Sequence, residues 1–142
     1  SMSKSGPRLL SLFDKKEKIS PLRVPVEQYR NNLYAIASAV ENAGANTLFV
    51  VAPYKFSNEA KQRLVSTGYL TYNDNATSLH REYLKEVLQM SDIEGCYIAN
   101  AATIFSKTES DEPLLHRDGI HLTDIGHNLM SEILYSSIKD IK

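Results

Sequence analysis

Asp118-Gly119-Ile120-His121, followed at once by Leu122-Thr123-Asp124-Ile125-Gly126, holds the residues best suited to chemistry in this chain. An imidazole that takes a proton from a hydroxyl needs a carboxylate on its other ring nitrogen, to fix the tautomer and stabilise the imidazolium. Most such relays draw the two groups from distant segments. Here a tight turn can face an Asp and a His three residues apart. Gly119 eases that turn because it tolerates positive φ. The pair reads as the acid–base end of a Ser-His-Asp relay, with His121 as general base and then general acid and Asp118 as its orienting carboxylate.

The elements around the pair are suited to holding it. Thr123 is a good N-cap, and Asp124 places a negative charge in the first helical turn, where the helix dipole favours it. Leu129, Met130, Ile133, Leu134 and Ile138 form an apolar stripe at helical spacing, which predicts a docked helix over about 124–139. His121 then sits just before a rigid element. Upstream, residues 26–42 read as an amphipathic helix with Val26, Tyr29, Leu33, Ile36, Ala37 and Val40 on one side and Gly44 just beyond. Residues 47–52 are an apolar run, expected as a parallel strand covered on both faces and paired on both edges. Ser57 or Asn58 should cap a short helix to about Val65, ended by Gly68. Thr77 should cap a longer one to about Met90, with Leu79, Tyr83, Leu84, Val87 and Leu88 aligned. Residues 95–99 read as a second strand and 105–117 as a charged loop containing Pro113. The alternation is that of an α/β fold.

The block D-G-I-H-L-T-D-I-G resembles the last block of the SGNH, or GDSL-type, hydrolases: D-x-x-H, then Pro or Leu, then Ser or Thr, then a Gly three residues on. Upstream, Val24 to Leu33 resembles the helix after that family's third block, and Asn46-Thr47-Leu48-Phe49-Val50-Val51-Ala52-Pro53 its next parallel strand with a closing proline. The resemblance runs in order over roughly residues 22–140. It implies a three-layer α/β/α, flavodoxin-like parallel sheet with the site at the carboxyl ends of the strands. It also implies hydrolysis of a small ester as an esterase, lipase or deacetylase, with Asp118 and His121 as the catalytic pair and no cofactor. The chain would then supply about the last two strands and their helices.

The chain departs from that pattern at the nucleophile. It contains no G-D-S, no G-x-N-D and no G-x-S-x-G elbow. Ser57 follows a strand-ending proline, Ser106 and Ser110 lie in the charged loop, and Tyr72-Asn73-Asp74-Asn75 lacks the glycine context and reads as a loop. The expectation is that residues 26–142 form the C-terminal portion of such a domain. The serine would come from a complementing N-terminal segment. The alternative is a non-catalytic relative that acts by assembly, through that partner or by self-association.

Bulk properties exclude several classes. Net charge is −1, with 42% hydrophobic and 23% charged residues, and no basic stripe points to nucleic acid. No apolar run approaches the ~20 residues of a membrane span. The single cysteine, Cys96, lies in an apolar run and reads as a core residue. Residues 1–25, broken by Pro7, Pro21 and Pro25, read as a tag remnant (Ser1-Met2) and an arm, with a short helical piece around Leu9 to Phe13. His116 and His127 flank the motif, but six residues separate His121 from His127 and no metal-site spacing is present, so no metal is expected. His116 reads as a loop residue near the pocket rim, and His127 and His80 as solvated helix residues. The bland reading of D-x-x-H itself is a helix-entry turn with a capping Asp and an exposed His.

Overall fold

Leu33 and Ala37, four residues apart, put their side chains on one face of a helix, and that face is the buried one of α1 (Val26–Asn42). Pro25 precedes its first turn, where a missing N–H costs nothing. The chain then runs through β1 (Thr47–Val50), α2 (Asn58–Ser66), α3 (Ala76–Gln89), a 3₁₀ turn at Met90–Asp92, β2 (Cys96–Ala99), α4 (Ala101–Lys107) and α5 (Asp124–Lys139). The structure, a computed structural model, describes residues 24–141. The arm read over residues 1–25, its helical piece included, lies outside the described residues except for Val24 and Pro25.

β1 and β2 pair in parallel, Thr47 opposite Cys96 and Val50 opposite Ala99. Helices cover both faces, as an α/β sheet requires. On one face, Leu33 and Ala37 of α1 and Val87 of α3 pack with Met90 and Val51 against Phe49, Cys96 and Ile98. On the other, Phe105 of α4 and Ile133 of α5 pack with Ala99 and Ala101 against Leu48 and Val50. Successive strand residues face opposite layers, the two-residue period of a strand with cover on both sides. The Arg30 guanidinium donates twice to Glu86, at 2.6 and 2.8 Å, and ties α1 to α3.

Four expectations are corrected. Residues of β1 are each half-buried rather than buried, and Ala52 is exposed. The reason is the edge: among the described residues β1 has one hydrogen-bonded neighbour, β2. The third helix is capped by Asn75, two residues before the expected Thr77, because the Asn75 side chain accepts from Ser78 N. The span read as a loop from 105 begins inside a helix, α4. Asn100 caps α4 by accepting from Thr103 N, and Ala102 N donates to Val51 O at the end of β1. His80, read as solvated, is largely enclosed, as described below.

Candidate functional site

The Asp-x-x-His block forms the tip of a hairpin. Leu115 and Leu122 bridge in antiparallel fashion, His116 N donates to His121 O at 2.8 Å, and Gly119 N donates back to His116 O at 2.9 Å. Gly119 adopts φ +77° at the turn. A Cβ there would lie 2.1 Å from the Lys55 carbonyl oxygen and 3.3 Å from the Ala60 Cβ. Only glycine lets the hairpin close on the segment after β1. The contact is fastened by Lys55 N donating to Gly119 O at 2.8 Å. The second arm is held as closely. Thr123 Oγ1 donates to Pro113 O and also caps α5 by accepting from Gly126 N. A Cβ on Gly126 would lie 2.0 Å from Leu114 O. The Thr and Gly of the motif are therefore the residues that seat the hairpin on α5.

Within this frame Asp118 uses both carboxylate oxygens. Oδ1 accepts from Ile120 N and His121 N, each at 3.0 Å, and Oδ2 lies 2.6 Å from Nδ1 of His121. The backbone N–H of His121, then that of Ile120, then the imidazole hold the Asp118 carboxyl well below the usual carboxylate range. An ionised carboxylate only accepts, so Nδ1 of His121 carries the hydrogen in this contact, and Nε2 is the ring nitrogen turned away from Asp118. The imidazole is 74% exposed and the carboxylate 30%. What results is an oriented, accessible base at the carboxyl end of β1.

His121 borders a cleft of about 470 Å³ lined by Phe56, Leu64 and Tyr69 on one side and Leu79, His80 and Tyr83 on the other. That is within the usual size of small-molecule sites. His80 was missed in the sequence although the signal was there: Ala76, His80, Tyr83 and Val87 follow helical spacing along the buried stripe of α3. Its ring lies edge-on to Tyr54 and Phe56, with centroids 4.5 and 5.5 Å away. Burial lowers its pKa, partly offset by a hydrogen bond to the Ala52 backbone.

Two of the described serines that the sequence singles out are engaged elsewhere. Ser57 Oγ caps α2 by accepting from Ala60 N, and Ser106 Oγ donates to Thr103 O within α4. No serine is among the described residues that line the cleft. Asp74 accepts from Thr71 N in a turn and Asn75 caps α3, so the Asn-Asp-Asn stretch is taken up by local structure. His116 and His127 are exposed and neither lines the cleft. Cys96 lies in β2 beside the core, where burial pushes its thiol pKa up. Among the described residues no group of three or more His, Cys, Asp or Glu side chains could hold a metal ion, and no helix is long and apolar enough to cross a membrane.

Fold and site together define an α/β protein that presents an Asp–His pair at one end of a parallel strand pair. No protein-family model, curated protein or solved structure matches the chain.

Proposed function

We propose that this chain carries the acid–base half of an SGNH-type serine ester hydrolase, and that the nucleophilic serine and its oxyanion donors come from outside the described residues. One observation carries the reading: Asp118, held ionised by two backbone N–H groups, orients the accessible His121 through a 2.6 Å contact to Nδ1. In the reaction Nε2 of His121 takes the proton of the serine hydroxyl as it attacks the ester carbonyl. It then returns that proton to the leaving alkoxide, and water repeats the cycle on the acyl-enzyme. Three features support an external serine. His121 is 74% exposed, which leaves room for another element beside it. β1 has an unpaired edge among the described residues. Large apolar side chains stand exposed in both helical layers, Tyr34 and Ile36 on α1 and Tyr135 and Ile138 on α5. The same edge also favours a second reading, in which the chain assembles with a partner or with itself and catalyses nothing.

The test has two arms. In the complete assembly, identified by intact mass and by a companion polypeptide bearing G-D-S, His121→Ala should lower p-nitrophenyl ester hydrolysis by a few orders of magnitude. Activity within about tenfold of the parent would remove His121 from the mechanism. The chain by itself should neither turn over these esters nor react with a fluorophosphonate probe. Stoichiometric labelling of one of its serines would overturn the external nucleophile.

A further inference from the structure

Three segments far apart in the chain line the cleft beside His121. Phe56 and Leu64 come from before and within α2, Leu79 and Tyr83 from α3, and Ile120 from the hairpin. No lining residue is a Lys, Arg, Asp or Glu. Few polar side-chain atoms are open to an occupant either. Tyr83 donates its hydroxyl to Val24 O, and Nε2 of His80 is buried, out of an occupant's reach. That leaves little beyond His121 and the Tyr69 hydroxyl to receive a polar group. A charged or many-hydroxyl group would give up water here without gaining partners, and each group left unpaired is costly. A hydrocarbon group has no such cost, and its entry removes apolar surface from water on both sides.

Two large apolar side chains of this lining stand open to solvent, Ile120 at 41% and Tyr69 at 58% exposure. The position of Ile120 is set by the Asp–His turn itself. Its N–H donates to Asp118 Oδ1 at 3.0 Å, and it sits between Gly119, closed against Lys55, and His121. Whatever packs on Ile120 is therefore held at a set position relative to the imidazole. Size follows from volume: an apolar cavity of about 150 Å³ takes a benzene ring. The cleft, at about 470 Å³ and open on one side, takes a group of roughly eight to ten carbons.

We propose that this cleft is the subsite for an uncharged hydrocarbon group on one side of the ester, and that Ile120 is the residue that sets this specificity next to His121. Sugar and ionic groups are thereby disfavoured at this position. The proposal names the substrate class for the ester hydrolysis suggested above and rests on that reading only in making the occupant part of an ester.

Binding to the full chain tests this without turnover. 1-Butanol, 1-hexanol and 1-octanol are titrated and followed by the amide chemical shifts of Leu79, Tyr83 and Ile120, with Ala37 and Ile93, which lie outside the cleft, as controls. Affinity should rise about four- to fifteenfold at each two-carbon step, the range for half to full burial of two methylenes. The controls should stay unmoved, and glucose at the same concentrations should shift none of the five. Ile120→Ser should weaken 1-octanol binding about five- to tenfold, whereas Ile120→Val should stay within about twofold of the parent. Affinity that does not grow with chain length, shifts outside the cleft only, or tighter binding of glucose would overturn the proposal, and all three are read on the parent chain. In the complete assembly, p-nitrophenyl esters of lengthening acyl chain and acetates of lengthening alcohol tell which side of the ester enters. kcat/KM should climb in one series, and Ile120→Ser should flatten that climb; hydrolysis with no climb in either would also overturn the proposal. A chain that binds the alcohols as expected but never supports ester hydrolysis would defeat the hydrolase reading alone.

Discussion

Replacing Gly119 by alanine separates two physical effects that the hairpin combines. The first is conformational: at φ +77° an L-residue costs roughly 1–2 kcal/mol. The second is the close approach, since the new Cβ would lie 2.1 Å from the Lys55 carbonyl oxygen, which is backbone and has no rotamer to escape into. Relief requires the hairpin to lift from the segment after β1. That breaks the Lys55 N–H to Gly119 O hydrogen bond, worth about 1 kcal/mol net. Gly44→Ala isolates the first effect, because Gly44 has φ +74° and nothing within 4 Å of its would-be Cβ. Any gain from a less flexible unfolded chain is common to both variants. Gly119→Ala should therefore be less stable than Gly44→Ala by about 1–2 kcal/mol, and below the parent by about 2–4 kcal/mol. For a chain of this size the gap between the variants is roughly 4–8 °C in Tm. Thermal unfolding followed by circular dichroism measures it, and the amide shifts of Lys55 and His121 should move in Gly119→Ala only. If Gly119→Ala unfolds at or above the Tm of Gly44→Ala, the hairpin does not depend on this contact. The account of how the Asp–His pair is positioned then fails.

Two further predictions concern stability. The Asp118 and Glu86 carboxyls are both held below the ordinary range in the fold, by the backbone N–H of His121 and by Arg30 respectively. A lowered folded pKa stabilises fully above the unfolded value, about 4, and that contribution is lost as pH falls through the folded values. Unfolding by urea should therefore become easier from about pH 4 downward, and Asp118→Asn should flatten that acid limb; an unchanged limb would contradict the Asp118 network. The second prediction uses the unpaired edge of β1. Thr47 N and Val51 N donate to β2, at Gly95 O and Ala99 O, so by alternation the amides of Leu48 and Val50 point away from it. In the isolated chain these two should exchange with solvent far faster than Val51, and they should become protected on adding the completing polypeptide. Equal protection of Val50 and Val51 in the chain alone would mean that the edge is already covered.

Local rules were enough to read much of this protein from its sequence. α1 and α5 fall where their apolar stripes predict, and Ser57 and Thr123 cap α2 and α5, because caps and periodicity depend on residues within one or two turns. The adjacency of Asp118 and His121 was legible for the same reason, since a three-residue turn sets it. What the sequence left open depends on contacts between distant segments. A seven-residue helix such as α4 is too short to show its period, and its position is set by Ala102 N bonding to Val51 O. The half-burial of β1 follows from how many neighbours the strand has, which an apolar run does not state. His80 looked like a solvated helix residue until α3 packed it against Tyr54 and Phe56 and the end of β1. The requirement for glycine at 119 likewise has two sources. The turn was visible in the chain, but the Lys55 carbonyl that leaves no room for a Cβ lies 64 residues away and arrives only when the hairpin docks on the sheet end.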